Sequence, residues 1–242
     1  MDKKRKGLAA LVPRYSYFPL IFALVFNTAV YTGSRLIAGG WKHYNIETAL
    51  DRLVPFSAPS AAIYLGCYLF WAMNYILLAR QKKEDVCRFF AGDFLSRVIC
   101  LFFYLVFPTT NVRPEVVPEG FWNQVMIWLY SVDAADNLFP SIHCLVSWFC
   151  YIGIRGRKDI PVWYQRFSCI FALLICISTL TTKQHVIADV AGGILTAELC
   201  LRIGRRPAVW GAYQKILDKV SSLIFRGKMR EVSYADEEEG TV

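Results

Sequence analysis

The sequence predicts an all-α, polytopic membrane protein. Six transmembrane helices would carry a candidate active site at their extracytoplasmic ends, with amphipathic helices flanking them. Three observations support this expectation. Of 242 residues, 55% are hydrophobic and only 19% are charged, with a mean hydropathy of +0.35; a soluble globular domain carries about 25% charge. Six apolar stretches approach the roughly 20 residues that a helix needs to cross a bilayer. The cations are also unevenly placed along the chain. This composition argues against an ordinary soluble domain, a disordered chain or a collagen-like one. The net charge of +8 is read as anchoring at a membrane face, with no nucleic-acid partner implied.

In chain order, a basic N-terminus (1–16) precedes a first span at 17–37. Its apolar run exceeds signal-peptide length and shows no small-residue cleavage site, so no cleavable leader is expected. A polar and aromatic segment at 39–57 offers Trp41, Tyr44 and Phe56 to the interface. The second span, 58–79, lies in a charge-free run and is followed by a basic linker. The third, 89–107, contains Asp93 and Arg97 four residues apart, a mutually compensating pair on one helical face, and Pro108 ends it. The long connection to Pro140 contains a short amphipathic helix at 119–130. The fourth span, 141–154, is short. The fifth is 162–181 and the sixth 184–203, closed by Arg205 and Arg206. The six spans form a membrane domain at 17–206. The remainder, 207–242, reads as a basic amphipathic helix over 208–225 and an acidic, disordered tail.

Six spans put both termini on one side. Twenty-one of the 27 Lys and Arg residues then fall on that side, five on the other, and Arg97 within a span. The positive-inside rule makes the richer side cytoplasmic, and the expected location is the plasma (inner) membrane. The eight cysteines form no C-x-x-C pair and mostly lie in apolar runs, so no metal, redox or disulfide framework is read from them.

Three polar clusters lie at the extracytoplasmic span ends. They are Asn111-Val-Arg113-Pro114, Asp136-Asn-Leu-Phe-Pro140-Ser141-Ile-His143, and Thr181-Thr-Lys183-Gln-His185-Val-Ile-Ala-Asp189. Two of the three histidines therefore share one depth on one side. His185 and Asp189 are i and i+4, so the carboxylate can fix one imidazole nitrogen and leave the other with a free lone pair. Alone, such a pair is more often structural. Pro140 suits a helix start and Ser141 a cap, whose open N–H groups favour an anion; the alternative is a plain cap beside a solvated histidine. Arg113 is a bidentate phosphate ligand or a snorkelling interface arginine. Lys183 is a point-charge phosphate ligand or an ordinary interface lysine. His43 reads as an interface residue, and Asp133 and Asp136 as turn or cap residues, with Asp136 able to position His143.

Taken together, these parts suit phosphoryl transfer through a phosphohistidine. His185 attacks phosphorus and Asp189 orients it. His143 protonates the leaving alcohol and then activates the acceptor. Arg113, Lys183 and Ser141 stabilise the phosphate oxygens. No metal site and no cofactor are expected.

These residues resemble the motifs of the type 2 phosphatidic acid phosphatase superfamily, six-span lipid phosphatases whose active-site design is shared with vanadium haloperoxidases. The second family motif, P-S-G-H, corresponds to Pro140–His143, with Ile142 in place of Gly. The third, S-R-x5-H-x3-D, corresponds to Ser178–Asp189, with Thr179 in place of Arg. The first, K-x6-R-P, keeps Arg113-Pro114, but Val106 stands at its lysine. The pattern around His143 and His185 is similar to the branch that includes inositol phosphorylceramide synthases. The resemblance implies a metal-independent lipid phosphate phosphatase whose partners are a lipid phosphate substrate and membrane lipids. It leaves open a lipid phosphotransferase that passes the phosphoryl-headgroup to an alcohol. A non-catalytic lipid-phosphate-binding membrane protein is a further reading, kept open by the missing cations.

Overall fold

A computed structural model describes residues 12–224. The first 11 residues and the expected acidic tail lie outside that range. The chain is mostly helical. Helix α1 is Tyr17–Ala38, α2 Ala49–Leu53, α3 Ala61–Ala79, α4 Lys83–Val106, α5 Phe121–Val132, α6 Ile142–Ile154, α7 Val162–Thr181, α8 Ile187–Gly204 and α9 Pro207–Ile224. Two short strands, β1 (Tyr44–Asn45) and β2 (Thr109–Thr110), pair in parallel with Tyr44 opposite Thr109. They join the loop after α1 to the loop after α4, a connection the sequence reading did not anticipate.

Among the described residues, four helical segments are long and apolar enough to cross a membrane: Arg14–Ala38, Ala58–Ala79, Lys83–Val106 and Val162–Thr181. α1 leaves Ile21, Leu24, Val25, Leu36 and Ile37 exposed, as a lipid-facing helix does. α4 begins six residues before the expected third span, because Glu84 and Asp85 suit a first helical turn. It buries the expected pair: Arg97 meets Asp93 at 2.9 Å, with both side chains 2% exposed. Tyr75 donates to the same carboxylate at 2.5 Å, and Arg97 also donates to Ser96 at 3.0 Å. An ion pair this deep persists only when further hydrogen bonds satisfy it.

α6 and α8 form the centre. α8 packs most extensively on α4 and α6, and α6 also contacts α7 and α3. Eleven of the 13 residues of α6 are buried. α6 falls short of a bilayer-spanning length, and α8 carries Asp189, Glu198 and Arg202. The expected amphipathic helix at 119–130 is found as α5. Met126 and Leu129 of α5 pack on Ala58, Ala61 and Tyr64 beside α3. α9 covers α4 with Tyr213 and Leu217 buried and Ile216 exposed.

Candidate active site

The site forms where the starts of α6 and α8 meet. Ser141 caps α6: its Oγ accepts the Cys144 N–H at 3.3 Å, and its own N–H donates to the Asp189 carbonyl at 3.1 Å. The two helices approach closely because Gly193 has no side chain. A Cβ there would lie 2.7 Å from the Ser141 carbonyl oxygen and 3.0 Å from the Leu145 nitrogen. This contact brings the His143 and His185 rings to a centroid distance of 5.9 Å. Both histidines are 7% exposed.

His185 lies just before α8, because its N–H, like that of Gln184, turns back to the Thr179 carbonyl. Its Nδ1 still meets an Asp189 carboxylate oxygen at 3.2 Å. The same oxygen accepts the Val186 N–H at 3.0 Å. One buried acid therefore caps α8 and orients the imidazole, which is how the i, i+4 relation survives outside the helix. His185 Nε2 has no hydrogen-bond partner among the described residues.

His143 is held differently. Its ring packs against Tyr64 at 4.4 Å and Trp71 at 5.4 Å. Its Nε2 lies 2.8 Å from the Tyr64 hydroxyl, and that hydroxyl lies 2.9 Å from Asp133 Oδ2. Tyr31 donates to the other oxygen of Asp133. A carboxylate only accepts, so the single phenolic proton of Tyr64 goes to Asp133. The phenolic oxygen then accepts from His143, and this network assigns the neutral imidazole its proton on Nε2. Nδ1 is left facing Cys67 Sγ at 3.6 Å. Asp133 is the C-cap of α5, as a turn or cap residue would be, and its half-buried carboxylate is also the acceptor for two tyrosines. Asp136 pairs with Arg35 at 3.1 Å and makes no hydrogen bond to His143.

Burial pushes the Asp133 carboxyl up, but His143 and the Tyr31 and Tyr64 hydroxyls outweigh it and hold the group below its ordinary value.

A cavity of about 340 Å³ opens over His185, and Arg113 and Lys183 line it too. Arg113 lies over the Tyr130 ring at 4.6 Å and donates to the Asp133 carbonyl and to Gln184 Oε1, leaving Nε buried without a partner. Lys183 Nζ reaches the backbone carbonyls of Asp51 at 3.0 Å and Val54 at 2.5 Å. In this state it fastens α2 over the cavity. Asp51 reinforces that clasp by accepting the Ile187 N–H at 2.6 Å, while its other oxygen completes the α2 cap with Thr48.

The six residues expected from sequence therefore lie in one region: Arg113, Lys183 and His185 are on the cavity wall, while Asp189, Ser141 and His143 are outside its lining, Asp189 and His143 against His185 and Ser141 on the Asp189 carbonyl. Sequence reasoning missed Tyr64, Asp51 and Arg52. Arg52 also lines the cavity, with its side chain 74% exposed and paired with Glu47 at 3.5 Å. Among the described residues, no group of three or more His, Cys, Asp or Glu is arranged to hold a metal ion.

Comparison with curated proteins and with solved structures yields no match. A family model described as the PAP2 superfamily matches residues 41–203. That span runs from the loop before β1 to the end of α8 and contains the whole cavity wall, both histidines and Asp189, while Tyr31, a donor to Asp133, lies before it. The chain belongs to the PAP2 superfamily.

Proposed function

We propose that the protein is a metal-independent lipid phosphate phosphatase working through a phosphohistidine at the extracytoplasmic membrane face. Superfamily membership suggests phosphatase or phosphotransferase chemistry. The observation that carries the finer reading is His185: Nδ1 is held by Asp189, and the unpartnered Nε2 belongs to a residue on the wall of a cation-lined cavity.

In the proposed first step, the Nε2 lone pair of His185 attacks phosphorus. A P–N bond forms and the P–O bond to the lipid alcohol breaks, with the leaving oxygen taking a proton from His143. Asp189 stabilises the positive charge that develops on the His185 ring. In the second step a water attacks phosphorus as His143 takes its proton, the P–N bond breaks and phosphate leaves. His143 acts from its imidazolium form: the leaving oxygen replaces the Tyr64 hydroxyl as acceptor of the Nε2 proton, and the neutral ring that remains, with its proton on Nδ1, takes the proton of the attacking water in the second step. Arg113 and Arg52 stabilise the transferring oxygens. Lys183 serves both the α2 clasp and the phosphate. Ser141 orders the N–H groups at the α6 start.

The wider arrangement belongs to the same proposal. α6 and α8 join the four long apolar segments as a six-helix membrane domain spanning 17–206. Both termini are cytoplasmic and the membrane is the plasma (inner) membrane.

The test is purified protein in detergent against a panel of lipid phosphates, with and without EDTA. Phosphate release that is insensitive to EDTA and abolished in His185→Ala is expected. Full activity in His185→Ala would remove the nucleophile assignment. Adding an alcohol acceptor to the same assay separates the phosphotransferase reading, which predicts a product that keeps the phosphoryl group and little free phosphate.

A further inference from the structure

A second cavity lies at the other end of the bundle. It measures about 460 Å³, and its wall contains Arg88, Arg157, Arg205 and Asp85. Ten residues of α6 separate His143 from Gly153 on this cavity's wall, about 15 Å of helix rise, so the two sites are distinct. Size places the cavity in the range of roughly 300–1,000 Å³ typical of small-ligand sites.

Local sequence builds the ring of arginines. Arg88 is on the second turn of α4, and Arg205 closes α8. Gly156 takes φ of +75° after α6, a conformation that favours glycine, as the chain turns towards Arg157. Arg157 donates to Gln81 and meets Asp85 at 3.2 Å. Leu78, Phe89 and Leu201 supply an apolar floor.

Cations near the C-terminal ends of α3, α6 and α8 complement helix dipoles and anchor a membrane face. Those roles explain why arginines are present here, but they leave two details unexplained. Arg88 Nε is shielded from solvent and has no hydrogen-bond partner. The Arg205 side chain, on an exposed residue, makes no hydrogen bond or ion pair among the described residues, and the charges acting on it are Arg155, Arg157 and Arg88 against the acid Glu198. The wall itself holds three cations and one acid. The other acids nearby, Glu84 on Arg88 and Asp159 on Arg157, have side chains 51% exposed, where solvent screens them.

We propose that this cavity binds a phosphate-bearing anion, with the guanidinium groups of Arg88, Arg157 and Arg205 on the phosphate oxygens and the attached organic group over the apolar floor. Guanidinium groups match phosphate oxygens bidentately. The same chemistry is offered by an anionic phospholipid headgroup and by a water-soluble phosphate ester.

The test is equilibrium binding to the full-length protein in detergent, using dioctanoyl phosphatidylglycerol, dioctanoyl phosphatidylcholine and glycerol 3-phosphate. The variants are Arg205→Glu, Arg205→Gln and, as a control, Arg206→Glu, a neighbour that is exposed like Arg205 but is not on the wall. The Arg205 side chain has no partner to lose among the described residues, so both of its variants should fold with an unchanged thermal midpoint. Loss of a charge-assisted contact corresponds to a weakening of about 10- to 100-fold for phosphatidylglycerol in the Arg205 variants, with less than about a twofold change in Arg206→Glu. Glycerol 3-phosphate binding that shares this Arg205 dependence assigns the site to a soluble ester; its failure to bind, beside Arg205-dependent lipid binding, assigns it to a headgroup. Equal losses in the Arg205 and Arg206 variants, phosphatidylcholine binding as tight as phosphatidylglycerol, or no binding at all would overturn the proposal.

Discussion

Replacing Tyr64 with Phe removes one oxygen atom and leaves the ring that packs on His143 in place. That oxygen sits 2.8 Å from His143 Nε2 and 2.9 Å from Asp133 Oδ2. The bond to the carboxylate contributes about 1.5–3 kcal/mol and the bond from the imidazole about 0.5–1.5 kcal/mol. No cavity term is added, because the ring still fills its space. The expected loss is therefore about 2–4 kcal/mol, which for a chain of this length lowers the thermal midpoint by roughly 5–15 °C. The effect on turnover follows from a different quantity. General acid–base catalysis is worth about 10²–10⁴-fold, and Tyr64→Phe keeps the histidine while freeing its proton. A loss of about 10- to 100-fold in kcat is expected, with KM changed by less than about twofold, since the hydroxyl acts on proton transfer rather than on phosphate binding. The acid limb of the kcat profile should shift as well, because His143 no longer shares its proton with a hydroxyl tied to Asp133. The assay is steady-state phosphate release from pH 5 to 9, alongside thermal unfolding in the same detergent. A variant that is destabilised as expected yet keeps wild-type kcat and pH profile would refute the positioning role and leave Tyr64 purely structural.

Gly193→Ala places a methyl 2.7 Å from the Ser141 carbonyl oxygen, a backbone atom that cannot rotate aside, so about 1–3 kcal/mol of overpacking is expected. Activity should fall further than stability as the histidines separate, whereas Gly211→Ala on α9, with nothing within 4 Å of its Cβ, should be tolerated in both assays. Asp133 carries a depressed carboxyl, so its contribution to stability is complete above the unfolded value of about 3.9 and is lost as pH falls through the lower folded value. Thermal midpoints from pH 3 to 7 should show a steep acid limb in the wild type and a flatter one in Asp133→Asn, which should also be less stable at pH 7; parallel curves would count against the depressed carboxyl.

Site residues were legible where their partners are close in sequence. His185 and Asp189 are four apart, Ser141 caps a helix that starts at the next residue, and Arg113 and Lys183 are rare charges beside apolar runs. The remainder depends on contacts that no local pattern encodes. Tyr64 lies 69 residues from Asp133 and 79 from His143, inside a charge-free run where a tyrosine looks like ordinary interface material. Asp133 read as a turn or cap residue and does cap α5, but its second role had no local signal because its two tyrosine donors come from other helices. The capping relation of Thr48 and Asp51 spans three residues and follows a known pattern, but the second role of Asp51, 136 residues from Ile187, has no sequence signal. Lys183 shows the opposite limit: its place at the cavity was readable, yet its binding to the α2 carbonyls follows from the loop folding over it.

Of the six helices expected from sequence to be spans, the two outside the set long and apolar enough to cross a membrane are the two that carry His143 and Asp189. Lipid-exposed helices must be long and apolar, because no water satisfies polar groups in the hydrocarbon. A helix surrounded by other helices is free of that requirement, and α6 occupies that position, whereas α8 leaves Leu195 and Leu199 exposed. α6 is 13 residues long, about 20 Å by helix rise, against a hydrocarbon thickness of about 30 Å. Its C-terminal end lies beside Leu78 and Phe89, since a Cβ on Gly153 would touch both. From there α3 runs back past Tyr64 to Ala61, about 25 Å, while α6 reaches His143 after about 15 Å. In the proposed bundle, the loss of length in α6 therefore lowers His143 below the ends of its neighbours, towards the depth at which a lipid phosphate enters from the bilayer. A full-length, fully apolar α6 would satisfy the hydropathy test and lift the imidazole into water. The short, buried helix is thus part of the case for a lipid substrate rather than an objection to a six-helix bundle.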